Sequence, residues 1–247
     1  MRRVLFQWRR IKIYAYPAML YLGLVFGVVG GTYAATLHGL NPAPVFAAML
    51  LLVLPALVGA RLLYVASHWK LYRHEPGRIW RRSDGGAALY GGLGVAFLLS
   101  LPLLGALGIS VGAFWDAATV MMLIAMIFTK VGCLLNGCCA GRPSEGPLAV
   151  YLPNARGIWC RRLPAQLLEA GLATLLLLGS VELWNRLPFD GALFLAALAA
   201  YGIGRWGLEL TRENIVRVGS LSLNRTISAA LVAVSVASLL LLWPQGP

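Results

Sequence analysis

About seven stretches of roughly 20 apolar residues, each cut from the next by proline, glycine or charge, constrain this chain more than any other feature. Twenty residues is the length an α-helix needs to cross hydrocarbon about 30 Å thick. The stretches fall near Tyr14–Thr36, Pro44–Ser67, Gly86–Leu107, Gly112–Leu135, Pro164–Trp184, Gly191–Leu210 and Ser222–Trp243. Apolar residues fill 59% of the 247 positions and charged residues only 12%, a balance that excludes an ordinary soluble domain. The expected fold is an all-α integral membrane protein: about seven transmembrane helices in one bundle over residues 1–247, with short loops and a polar, cationic central cavity. The first stretch follows Arg2, Arg3, Arg9, Arg10 and Lys12, as a signal peptide would. It is too long for one and has no convincing cleavage site, so a retained helix is expected.

The net charge of +12 is unevenly placed. If all seven stretches span, most of the Lys and Arg residues share one membrane face, which also receives the two longest polar connections, about 69–85 and 136–163. By the positive-inside rule alone that face and the N-terminus are cytoplasmic. The same face would attract anionic phospholipid headgroups, at roughly 1 kcal/mol per basic residue near the surface. Nucleic acid is not an expected partner, because the basic residues are scattered over membrane loops and form no recognition module.

Polar groups inside the apolar stretches are costly, and they concentrate at two places. The segment KVGCLLNGCCAGRP, Lys130 to Pro143, ends the fourth stretch, with Lys130 within a turn or two of Met126, Ile127 and Phe128. An ionisable residue there marks a functional site by default. The segment YGIGRWGLELTREN places Tyr201, Arg205, Glu209 and Arg212 within roughly an 80° arc of one helix face. Arg205 and Glu209 are i, i+4 neighbours and should pair, facing the interior. Such a pair can also be no more than a lock between helices. Cations nevertheless outnumber carboxylates: Arg61, Lys130, Arg205 and Arg212 face Glu209 and Glu169, and phosphate is the natural anion to fill the difference.

In DGGAALYGGLG, Asp84 to Gly94, two glycine pairs bracket Tyr90. Gly91 and Gly92 allow close approach of either another helix or a ligand headgroup. The Tyr90 hydroxyl can donate to an oxyanion or anchor the interface, but with an ordinary pKa of about 10 it is a weak base. Cys133, Cys138, Cys139 and Cys160 do not have a usual zinc spacing, and His38, His68 and His74 complete no ligand set. No metal and no cofactor are expected.

Together these segments resemble the bacterial prolipoprotein diacylglyceryl transferase family. The matching motifs are YPAML at Tyr16–Leu20, GARLLYV at Gly59–Val65, GGAALYGGL at Gly85–Leu93, KVGCLLNGCCAGRP, LPAQLLEA at Leu163–Ala170, YGIGRWGLELTREN, and GSLSLN at Gly219–Asn224. They run in family order over nearly the whole chain. The resemblance implies a seven-helix enzyme of the bacterial inner membrane that moves diacylglyceryl from phosphatidylglycerol to a lipobox cysteine thiol of a prolipoprotein, releasing glycerol phosphate. It implies catalytic roles for Arg205, Glu209, Lys130 and Tyr90. Substrate binding would fall to Asn136, Gly137, Gly141, Arg142, Arg61, Tyr201, Gly91 and Gly92.

This chain departs from the family pattern at four places. It has Lys130 where the signature has arginine, Cys133 for asparagine, Cys138 for glutamate, and Tyr90 for histidine. Lysine keeps the charge but loses the bidentate fork, and tyrosine does not replace histidine as a proton acceptor at neutral pH. Two alternatives therefore stand beside the transferase: a lipid-binding or assembly protein of the same fold without catalysis, and a membrane thiol protein using Cys133, Cys138 and Cys139. The resemblance also implies a signature loop facing the periplasm, opposite to the orientation that the basic loops suggest.

Overall fold

A computed structural model of the protein describes residues 4–8, 11–73, 75–79, 88–213, 217–218 and 221–243. Seven helices long and apolar enough to span a membrane dominate it. They are α1 (Ala15–Leu37), α2 (Pro42–Ser67), α4 (Leu89–Leu107), α5 (Val111–Asn136), α6 (Ala165–Leu183), α7 (Ala192–Leu208) and α8 (Leu223–Leu242), with a single-turn α3 at Trp69–Tyr72. The start expected at Gly86 moves to Leu89 and that expected at Ser222 moves to Leu223, and Gly86 itself lies outside the described residues. The loops are less plain than expected. Three antiparallel hairpins punctuate them: β1 (Val4–Trp8) with β2 (Ile11–Tyr14), β3 (Val150–Pro153) with β4 (Trp159–Arg162), and β5 (Arg217–Val218) with β6 (Leu221–Ser222).

Local chemistry sets the helix ends. Asn41 caps α2, accepting from Ala43 N at 3.2 Å ahead of Pro42. Left-handed Gly108 and Gly137 end α4 and α5. In hydrocarbon there is no hydrophobic force between helices, so close approach has to come from small residues. A Cβ on Gly27 of α1 would lie 2.7 Å from Met121 O of α5, and one on Gly91 of α4 would lie 2.4 Å from Gly59 O of α2. The pairs α1–α5 and α2–α4 are thus closed by backbone contact. Large apolar side chains such as Leu54, Leu98, Leu175 and Leu241 point outward, a surface that needs lipid to cover it.

The buried apolar core sits towards one membrane face, around Val45, Met49, Phe114, Trp115 and Phe194. Trp115 donates to Ser100 Oγ at 2.9 Å, so its polar edge is satisfied there. Asp116 closes the same end: it accepts from Gly191 N at 2.7 Å and Phe194 N at 2.8 Å, capping α7. The opposite face gathers the starts of α1, α4, α6 and α8 and the ends of α2, α5 and α7. Both sequence segments rich in polar groups lie at that face.

Candidate active site

Glu169, one turn into α6 and 2% exposed, is the centre of this polar end. Three cations from three segments converge on it. Lys130 of α5 forms an ion pair with Oε2. Arg212, just past α7, donates Nε to Oε1 at 2.9 Å. Arg205 of α7 brings Nη1 to 3.6 Å from Oε1. Arg205 also pairs through Nη2 with Glu209, as their i, i+4 spacing predicts, and Asn224 of α8 donates to the other Glu209 oxygen at 3.0 Å. Charge is not balanced: Lys130, Arg205 and Arg212 face Glu169 and Glu209, which leaves one positive charge in a buried place.

The Arg205 geometry carries that surplus to a defined atom. Its Nη1 is buried, stands beyond hydrogen-bond range of Glu169, and has no acceptor among the described residues. A buried guanidinium N–H without an acceptor is costly, and an oxyanion is its best partner. Tyr201 is buried one turn before Arg205 on α7, and Tyr90 of α4 shares a hydrogen bond of 2.7 Å with Ser228 of α8. Tyr90 also lines one end of an apolar cleft of about 490 Å³ between α4, α5, α7 and α8. That cleft is lined along α8 from Ile227 to Leu242, a rise of about 22 Å.

The signature segment forms the other wall. Asn136 is the last residue of α5 and Gly137 (φ 78°) its left-handed cap; both line a polar pocket of about 220 Å³ with Arg156 and Trp159. Gly141 is indispensable for packing, since a Cβ there would fall 2.0 Å from Leu163 O. Next to it Arg142 N donates to Thr211 O at 2.8 Å, and Gly141 bridges to Arg212, so the loop ties the end of α7 to the end of α5. This bond brings Arg212 and Lys130 to one carboxylate. The thiols of Cys133 and Cys138, as hydrogen-bonding partners, and the charges of Arg212 and Lys130 draw the Cys139 thiol below the ordinary range.

Several expected substrate contacts have other work in the fold. Gly91 and Gly92 pack against Gly59 O and Ala56 O of α2, 2.4 Å and 2.8 Å from where their side chains would be. Arg61 donates Nε to Ile79 O at 2.7 Å and lies over the Tyr64 and Tyr72 rings, tying Tyr72 and Ile79 to α2. The side chain of Arg142 is exposed while its backbone builds the loop. Arg162, which the sequence reading passed over, is the buried arginine of that loop: it donates to Leu152 O and Gly141 O, both at 2.9 Å, and to Glu213 at 3.2 Å. Glu169 and Gln166 are the other omissions from the expected site. Their signal was their i, i+3 spacing within LPAQLLEA, which puts both on one buried face of α6.

The family model for prolipoprotein diacylglyceryl transferase matches residues 3–242. A phosphatidylglycerol–prolipoprotein diacylglyceryl transferase of Clostridium perfringens is 27% identical, over 92% of this chain and 90% of its own length. The enzyme of that name from Halalkalibacterium halodurans is 29% identical, over 98% and 85%. That from Methylococcus capsulatus is 31% identical, over 74% and 70%. With a match from one end of the helical bundle to the other, the chain belongs to the prolipoprotein diacylglyceryl transferase family.

Proposed function

We propose that this multi-pass protein of the bacterial inner membrane is a transferase that moves diacylglyceryl from phosphatidylglycerol to the lipobox cysteine thiol of a prolipoprotein. The observation that carries this reading is the unfilled Nη1 of Arg205, in a buried cluster with one more cation than carboxylate. Relatives over nearly the whole chain carry the names of both substrates.

The chemistry requires a phosphate that is held more strongly as it leaves and a sulfur that attacks as thiolate. Arg205 Nη1 takes one phosphate oxygen and Lys130 a second. Glu209 fixes the Arg205 side chain from behind, and Asn224 fixes Glu209. Glu169 keeps the three cations together while the site is empty and releases part of their charge when phosphate enters. The glycerolipid's tails lie in the apolar cleft that begins at Tyr90, whose length suits an acyl chain. Attack by sulfur on the glyceryl carbon forms the S–C bond and breaks the C–O bond to phosphate. Glycerol phosphate leaves with the electron pair, stabilised by the cations that held it.

The test is incubation of the purified protein with phosphatidylglycerol and a lipobox peptide, followed by mass spectrometry. A diacylglyceryl adduct on the cysteine, absent with Arg205→Ala, is expected. A wild-type yield no greater than that of the variant would overturn the reading.

A further inference from the structure

Two left-handed residues fold the chain back over the end of α5. Gly137 has φ 78°, and Cys139, with φ 57°, is the one non-glycine residue of positive φ among the described residues. L-residues rarely adopt that conformation, and where they do a local function often holds them there. Between them Cys138 N donates to Cys133 O at 3.1 Å, and Gln166 clamps the Cys138 carbonyl from α6 at 2.7 Å. As a result, residues five and six positions apart bring three Sγ atoms within 4.8 Å of one another. Cys133 is buried, Cys138 half-buried and Cys139 exposed, so the cluster opens outward. The buried Gln166 leaves its Oε1 without a donor among the described residues.

We propose that Cys133, Cys138 and Cys139 bind one zinc ion through three thiolates and leave its fourth position for the acceptor thiol. The metal-binding half stands on the cluster alone, and the thiol-activating half rests on the transferase reading above. Three protein ligands with one open position is the pattern of catalytic zinc, whereas four ligands mark a structural site. With Zn–S bonds of about 2.3 Å, a tetrahedral site needs sulfurs about 3.8 Å apart, so each pair has to close by no more than about 1 Å. Thiolate donors select thiophilic metals, and zinc among them takes the tetrahedral arrangement that three thiolates and one open position provide.

The site would supply what Tyr90 does not. An acceptor thiol that binds zinc gives up its proton to solvent and becomes a thiolate at neutral pH. Its sulfur then attacks the glyceryl carbon, the C–O bond breaks, and the phosphate carries the electron pair away to Arg205 and Lys130. The thioether product is neutral and a poor ligand, so it dissociates. No electron changes hands with the metal.

The experiment uses full-length protein in detergent with a phosphine reductant, equilibrated with buffered Zn²⁺ and then desalted. One zinc per chain by elemental mass spectrometry is expected, and Co²⁺ in its place should give intense thiolate-to-metal absorption. The triple variant Cys133→Ser, Cys138→Ser, Cys139→Ser should lose at least tenfold in zinc affinity while its melting transition remains. If it does not fold, Cys139→Ser alone should reduce the cobalt absorption by about a third. Equal zinc in variant and wild type, or a cobalt spectrum without thiolate bands, overturns the site. Stripping zinc should lower transfer to the lipobox peptide at least a hundredfold, and added Zn²⁺ should restore it. Transfer that continues unchanged in stripped protein overturns the activating role. Zinc bound at one per chain with no transfer to any thiol peptide overturns the transferase reading and with it the activating role, and upholds the metal site.

Discussion

Two buried carboxylates, Asp116 and Glu169, sit inside the same bundle and are satisfied in opposite ways. Asp116 is 4% exposed and has its two oxygens taken by backbone N–H groups at the start of α7. Glu169 is 2% exposed and has its oxygens shared among Lys130, Arg205 and Arg212. Backbone amides at a helix start cannot leave, so Asp116 is a fixed joint between α5 and α7. Long side chains can exchange one anion for another, which is the exchange with phosphate proposed above for the Glu169 end. Burial therefore does not identify a functional acid. What separates the two is the kind of partner: backbone amides for Asp116, charged side chains for Glu169.

The sharpest break would come at Glu169. Replacing it with Ala leaves three cations without their shared anion, and a loss of about 3–5 kcal/mol is expected from thermal unfolding in detergent. Next is Arg205→Lys, which keeps the charge but removes the fork: transfer should fall on the order of 10²–10³-fold, with little change in melting temperature. Asp116→Asn should do the reverse, lowering stability by about 1–3 kcal/mol because one amide N–H then faces another donor, while the transfer rate per folded molecule holds. If Asp116→Asn instead lost as much transfer as Arg205→Lys, the division between joint and site would be wrong. Smallest is Tyr90→Phe, which removes the hydrogen bond to Ser228 and should cost about 0.5–1.5 kcal/mol in the same unfolding measurement.

What the sequence made legible was whatever depends on position within a single helix. The apolar stretches gave the seven spans to within a few residues, and the spacing of Arg205 and Glu209 gave their ion pair. Contacts between helices were less visible. Glu169 is central only because the ends of α5 and α7 arrive beside the start of α6, which no local spacing encodes. Gly91 and Gly92 allowed a helix or a headgroup, and their packing role rests on the backbone of α2 lying 2.4 Å and 2.8 Å from where their side chains would be. The cysteine cluster was hidden for a different reason: a C-x4-C-C spacing predicts no ligand set unless the chain reverses through left-handed Gly137 and Cys139. A left-handed cysteine has no signature in a sequence.

The seams around α4 differ in how they can part. On one side Gly59 and Gly91 put backbone against backbone, a contact that cannot slide without the two helices separating altogether. On the other, at one end of the cleft, α4 meets α8 through the hydroxyls of Tyr90 and Ser228, either of which can donate. That bond is worth only about 1 kcal/mol and re-forms at once. The cleft is therefore bounded by unlike seams: backbone packing holds α4 to α2, and one hydroxyl pair joins α4 to α8.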